Sequence, residues 1–246
     1  MDVARPRIDL AGTRVLVTGA GRGLGRGMAE ALASWGARVG VTDIRLGAAP
    51  FAAWSDVMDV TDEVSVAAGV DACWDALGSI DLLVNNAGVL SVCAVAEMAL
   101  AEWRRVMEVN ATGTFLVSRA VVRRMIAAGR GGSVVSIASI AGKRGDAKLA
   151  HYSASKFAVV GFTQALAQEV AAHGIRVNAV CPGLVETAMI DDLNAGFGAS
   201  TSEWLSHQAI RRSQTPADIA WTVACLHGAE GVTGQAVNVD GGTLFH

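Results

Sequence analysis

The chain has 246 residues, of which 17% are charged and 52% apolar, with a formal net charge of -3. That length suits one large α/β domain able to bury about 70% of its unfolded surface without a disulfide or metal staple. The balance excludes both the basic face of a nucleic-acid binder and the sparse hydrophobicity of a disordered chain.

Val15–Val17 reads as a strand running straight into glycines, and Gly23–Trp35 as the helix behind them. Arg38–Thr42 is a second strand and Asp56–Met58 a third. Thr61–Leu77 is helical, with Thr61 as the expected N-cap and Glu63 in its first turn. Leu82–Val84 is a strand ending in Asn85-Asn86, and Leu100–Ala128 a long, interrupted helical stretch. Ser133–Ile137 is a strand, Tyr152–Ala172 a helix, and Ile175–Val180 a strand stopped by Pro182-Gly183. Pro216–Leu226 is a helix opening on proline, and Ala236–Val239 is the last strand. Arg104-Arg105, Arg123-Arg124 and Arg211-Arg212 read as solvated helix surface.

Short β-branched runs alternating with helices imply a parallel sheet buried on both faces. Right-handed crossovers then give a single-domain, doubly wound Rossmann fold over residues 1–246. Ligands of such sheets bind at the carboxyl ends of the strands, where this chain concentrates its glycines and polar residues. No apolar run is long enough to span a bilayer, and Met1–Leu10 lacks an apolar signal core. Cys73, Cys93, Cys181 and Cys225 have neither C-x-x-C nor metal spacing, so they read as buried hydrophobes with no metal site. A cytoplasmic protein is expected.

The first strand enters Thr18-Gly19-Ala20-Gly21-Arg22-Gly23-Leu24-Gly25. Glycines let a backbone approach a pyrophosphate, and the helix behind them offers free N–H groups to it. Asp43, after the second strand, stands near the place where an acid takes the ribose hydroxyls of NAD and repels the 2′-phosphate of NADP. Arg22 and Arg45 argue the other way, and Asp43 outweighs them: NAD is the expected cofactor, NADP the lesser alternative.

By Tyr152-Ser153-Ala154-Ser155-Lys156 the chain resembles the short-chain dehydrogenase/reductase family over nearly its whole length. The T-G-x-x-x-G-x-G loop, Asp59-Val60, Asn85-Asn86-Ala87-Gly88, Asn110, Ser139 with Tyr152 and Lys156, and Pro182-Gly183 with Thr187 fall in family order. The resemblance implies an alcohol–ketone oxidoreductase and a homotetramer. Tyr152, the only tyrosine, is then the acid/base. Lowering a phenol from near 10 to neutrality needs roughly 3 units, or about 4 kcal/mol, which a Lys156 cation at about 4 Å could supply. Ser139 would hold the substrate oxygen, and Asn110 a water linking Lys156 to solvent. Lys156 would also bind the nicotinamide ribose. Asn86, Ala87 and Gly88 would line the adenosine side, with Asp59 and Val60 touching the adenine. Pro182, Gly183, Val185 and Thr187 would flank the nicotinamide.

The stretch from Asp43 to Asp59 is short for the family, so a truncated helix is expected there. Residues 188–213, with Met189, Phe197, Trp204, Leu205 and His207, should form a mobile lid. Lys143, Arg144, Asp146 and Lys148 give the facing wall a polar character. This combination resembles polyol, sugar or diol dehydrogenases. The competing readings are a 3-oxoacyl thioester reductase using NADP and a non-catalytic dinucleotide sensor. His151 reads as a surface histidine at a helix start. Leu244-Phe245-His246 is expected to pack on a neighbouring subunit.

Overall fold

The computed structural model describes residues 9–245; the Met1–Leu10 segment lies mostly outside them, as does His246. Seven strands form one parallel sheet: β1 (Arg14–Thr18), β2 (Arg38–Asp43), β3 (Trp54–Val57), β4 (Leu82–Asn85), β5 (Gly132–Ile137), β6 (Ile175–Pro182) and β7 (Ala236–Val239). Their spatial order is β3-β2-β1-β4-β5-β6-β7. The order reverses between β1 and β4, which opens a crevice at the carboxyl ends of those strands.

The two-residue period of a strand assigns its side chains to opposite faces. Val15 and Val17 of β1 face one way, with Val39, Val41, Val84 and Val135. They pack against Met28 and Leu32 of α1 (Gly23–Ser34) and Ile219 and Val223 of α8 (Pro216–Gly228). Leu16 faces the other way, with Leu83, Val134 and Val177. It meets α2 (Glu63–Leu77), α4 (Gly113–Ala127) and α5 (Ala150–Val170). The two layers explain why the central strands read as unbroken apolar runs rather than alternating ones.

Several boundaries differ from expectation. β3 starts at Trp54 and ends at Val57. No helix separates β2 from β3, so the truncation is complete. Asp62, not Thr61, caps α2: its carboxylate accepts from the Val64 N–H at 2.9 Å, while the Thr61 hydroxyl donates to Asp59 at 2.8 Å. The stretch from 100 to 128 is α3 (Leu100–Met107), a π-helical turn over Glu108–Thr112, and α4. α5 begins at Ala150, two residues before Tyr152. Residues 188–213 hold two short helices, α6 (Met189–Phe197) and α7 (Thr201–Ser206). Cys73 and Cys181 are buried as expected, but Cys93 is half-buried and Cys225 exposed. Arg211-Arg212 lie in a turn rather than on a helix, with Arg212 paired to Asp218 at 2.6 Å.

Candidate active site

The glycine loop is shaped by how closely other backbone approaches it. Gly19 adopts a left-handed φ of +64°, and a Cβ there would lie 2.6 Å from Ala87 Cα. A Cβ on Gly25 would run into the Gly19 carbonyl and the Asn86 amide, and one on Gly21 into the Arg45 carbonyl. Gly23 differs: its φ is +57°, it is exposed, and its nearest neighbour is Thr187, 3.8 Å away. The hollow beside it is therefore open at the start of α1. That helix has no side-chain N-cap and no acid in its first turn. By contrast, α2, α7 and α8 are capped by Asp62, Ser200 and Thr215. An uncapped N-terminus in a glycine cradle fits a dianionic pyrophosphate.

Thr18 ties this loop to β4. Its hydroxyl oxygen accepts from the N–H groups of Asn86 and Ala87, both at 3.1 Å. The Asn86 amide returns bonds to the carbonyls of Thr18 and Gly19 at 2.9 and 3.0 Å. Thr18 belongs to the loop pattern, whose spacing alone does not show this task. Asp43 ends β2 with both carboxylate oxygens engaged: Oδ2 accepts from Gly21 N–H at 2.9 Å and Oδ1 from Arg45 N–H at 3.0 Å. The charge is thus held against the glycine loop, while Arg22 and Arg45 are exposed beside it. Asp59 is exposed and accepts the Thr61 N–H at 2.9 Å. Val60 is buried, with Gly113 leaving room for its side chain. Leu24 packs on the α1 core.

The other half of the crevice is built from β5, β6 and α5. Lys156 is 4% exposed, and its Nζ donates to the Ile137 carbonyl at 2.8 Å. Asn110 sits in the π-helical turn, fully buried. Its Oδ1 accepts from Val89 N–H at 2.8 Å, and its Nδ2 donates to Val89 O and Ser155 Oγ, each at 3.0 Å. A Cβ at Gly88 would come within 3.4 Å of Asn110 Oδ1 and 3.6 Å of Lys156 Nζ, so these three residues converge. Ser139 lies two residues beyond β5, and its Oγ accepts from Ala141 N–H at 3.1 Å.

Burial pushes the Tyr152 phenol above its ordinary pKa, and hydrogen bonding from Ser139 pulls it the other way. Burial also pushes the Lys156 ammonium down to about 8. Lys156 Nζ lies 5.6 Å from the Tyr152 ring centroid and is tied to the Ile137 carbonyl.

On the remaining side, Pro182 pairs with Val239, and Gly183 donates to the Val239 carbonyl at 3.0 Å. Val185 bridges to Gln214, and Thr187 turns back toward Gly23. The wall next to Tyr152 is apolar. Val106, Ala141 and Leu149 are buried with it, and Val89, Leu90, Val92, Leu193 and Phe197 pack around them. Phe197 stacks edge-on with Trp204 at 5.3 Å, and the Lys148 ammonium lies 5.9 Å from its ring. Lys143 does not line this wall in a free state, because its Nζ donates to the Ala236 carbonyl at 2.7 Å. Arg144 pairs with Asp146 at 3.3 Å.

His151 overturns its surface reading. It has no exposed area, and its Nε2 lies 2.7 Å from Ser91 Oγ. The α5 start packs against α3, which the local sequence around Tyr152 does not reveal. No local motif marks its partner Ser91, or Glu102, which Ser91 bonds in turn. Among the described residues there is no group of three or more potential metal ligands, and no helix long and apolar enough to cross a membrane.

The family model for short chain dehydrogenase matches residues 13–197, and the chain belongs to the short-chain dehydrogenase/reductase family. A sorbitol dehydrogenase of Cereibacter sphaeroides is 41% identical over 195 residues, 76% of each chain. A 3-oxoacyl-acyl-carrier-protein reductase of Vibrio cholerae is 37% identical, covering 96% of this chain and 98% of its own. The ligand-free structure of Thermoplasma acidophilum aldohexose dehydrogenase superposes with a TM-score of 0.89 at 33% identity, covering 96% and 95% of the two chains. The chain is an oxidoreductase acting on CH–OH groups and binds a nicotinamide dinucleotide, NAD(H) or NADP(H).

Proposed function

We propose that this protein is an NAD-dependent dehydrogenase interconverting a secondary alcohol, with a polyol, sugar or diol favoured, and its ketone. The observation that carries this reading is the convergence of Ser139, Tyr152 and Lys156 in the same crevice as the uncapped glycine loop and Asp43. Gly19, Gly21, Arg22, Gly23, Leu24 and Gly25 would hold the pyrophosphate. Asp59, Val60, Asn86, Ala87 and Gly88 would hold the adenosine, and Pro182, Gly183, Val185 and Thr187 the nicotinamide. When bound, the dinucleotide supplies the hydride acceptor or donor.

The chain's own residues handle the proton. Ser139 orients the substrate oxygen, and Tyr152 takes the hydroxyl proton, or gives one to the ketone oxygen. Lys156, tied to the Ile137 carbonyl in this structure, would bind the nicotinamide ribose and stand beside the phenol. Asn110, whose side-chain amide is bonded to Val89 and Ser155, would hold the water that links Lys156 to solvent. NAD follows from Asp43: a carboxylate about 4 Å from a 2′-phosphate is opposed by about 4 kcal/mol per unit charge at an effective dielectric of 20. Residues 188–213 act as the lid. The exposed Phe115 of α4 and Phe157 of α5 support a homotetramer, and the free thiols a cytoplasmic location.

The apolar cluster of Leu193, Phe197, Val89 and Leu90 next to Tyr152 favours a second reading, reduction of a 3-oxoacyl thioester, which Asp43 opposes. One assay tests both. NADH and NADPH absorbance is followed over polyols, aldoses, diols and 3-oxoacyl thioesters, with Tyr152→Phe as control. Turnover of a polyol or sugar with NAD, reduced at least ~10³-fold in Tyr152→Phe, supports the first reading. Thioester reduction with NADPH alone selects the second. Tight NAD binding without turnover of any substrate in that panel favours a sensor.

A further inference from the structure

The proton count around His151 has one solution. The Glu102 carboxyl is held down to about 2, first by hydrogen bonding from Arg105 and then from Ser91, so it is ionised and can only accept. Ser91 has one proton and donates it to Glu102. Its oxygen then has only lone pairs left for the imidazole, so His151 Nε2 carries a hydrogen and donates across the 2.7 Å contact. Nδ1 is left as a lone pair, buried and without a partner. A proton there would be an orphaned buried N–H, so the ring is neutral.

Three elements meet in this chain of bonds: the segment after β4 (Ser91), the first turn of α3 (Glu102) and the first turn of α5 (His151). α5 has no side-chain N-cap, so its first turn, which carries Tyr152, lacks the usual anchor. A histidine that merely filled space would be better replaced by leucine, which has no unpaired polar atom to bury. The link to Ser91 is what the imidazole offers and leucine does not.

We propose that His151, held through Ser91 by Glu102, is a positioning residue for Tyr152. The relay fixes the first turn of α5 against α3 and so sets where the phenol points. The inference rests on Tyr152 being the acid/base. Because Tyr152 is the only tyrosine in the chain, alkaline titration of phenolate absorbance reads it alone and needs no substrate.

The test compares wild type with Ser91→Ala, His151→Leu, His151→Gln and the Ser91→Ala/His151→Leu double variant. It uses NAD with the best substrate of the panel above. Misplacing a catalytic group by about 1 Å can cost 10²-fold. Ser91→Ala and His151→Leu are each expected to lower kcat by ~10- to 10²-fold at unchanged NAD affinity, and to shift the Tyr152 titration. The double variant should be no worse than the poorer single one. His151→Gln, which keeps a side-chain N–H, should recover most of the rate and the wild-type titration. Nitrogen chemical shifts of the imidazole should report hydrogen on Nε2.

Wild-type kcat and titration in Ser91→Ala, losses that add in the double variant, or hydrogen on Nδ1 would each overturn the proposal. Should His151→Leu fail to fold, Ser91→Ala and the imidazole shifts decide. If Tyr152→Phe abolishes turnover while the Ser91 and His151 variants leave it intact, this inference fails alone. If Tyr152→Phe keeps full turnover, the reading beneath it fails.

Discussion

The two halves of the crevice are built on different principles. On the cofactor side, backbone touches backbone: Gly19 against Ala87, Gly21 against Arg45, Gly25 against the Gly19 carbonyl. Thr18 and Asn86 lock the contacts with four hydrogen bonds at 2.9 to 3.1 Å. On the substrate side, side chain touches side chain. Phe197, Leu193 and Val92 rest on Leu149 and Tyr152, and a single ring joins Lys148 to Trp204. Backbone contacts tolerate almost no change in atoms, whereas apolar side-chain contacts accept any residue of suitable volume. A shared cofactor and a variable substrate call for this division.

The contrast can be broken most strongly at Gly25. Gly25→Ala puts a methyl into the Gly19 carbonyl, and the expected result is at least ~100-fold weaker NAD binding with a stability loss of about 1–3 kcal/mol. Isothermal titration and thermal unfolding measure both. Gly145→Ala, whose Cβ would meet nothing within 4 Å, should be silent in both. Equal effects at the two sites would dissolve the distinction.

Asp43→Asn comes next. It removes the charge and keeps an acceptor for the Gly21 N–H. The ratio of kcat/KM for NADP to that for NAD should rise ~10- to 100-fold, within the electrostatic limit of about 4 kcal/mol. An unchanged ratio would transfer the discrimination to Arg22 and Arg45.

Phe197→Ala should act on the other half alone. Losing the edge contact with Trp204 and the Lys148 cation is worth about 0.5–1.5 kcal/mol each. KM for the alcohol should rise ~3- to 10-fold while NAD affinity holds. A matching loss of NAD affinity would show that the lid belongs to both halves.

The last prediction is a pH dependence of the apo-protein. Burial holds Lys156 at about 8 in the fold, below its unfolded value near 10.4. Between these values the folded state has released a proton that the unfolded chain retains. Stability from this group therefore rises with pH from about 8 to 10 and is least below 8. Chemical denaturation across that window should show the rise, and Lys156→Met should flatten it.

Much of the cofactor half was legible because its chemistry demands residue types at fixed spacing. Glycines are written where a strand turns into a helix, and Asp43 where the next strand ends. The doubly wound parallel sheet followed from alternation of short apolar and longer amphipathic runs. Boundaries were less legible: Asp62 and Thr61 are both good caps, and only the turn made by Asp59 decides between them. The burial of His151 is not legible locally, because its hydrogen-bond partner Ser91 lies 60 positions earlier in the chain and is itself bonded to Glu102 on α3. The Lys156–Tyr152 spacing correctly put both on one helix face, yet it could not give the 5.6 Å separation or the Ile137 carbonyl that holds the ammonium.

A doubly wound parallel sheet, its glycine cradle and the side chains proposed to react are all legible in the linear chain. Those features depend on local periodicity and on residue chemistry, which a linear string carries in full. What needed the packed layers was the burial that pushes the Tyr152 phenol up, the apolar wall beside it and the burial of the His151 imidazole against Ser91. Each of these depends on which distant segments exclude water from a group, and that exclusion exists only once the layers have packed.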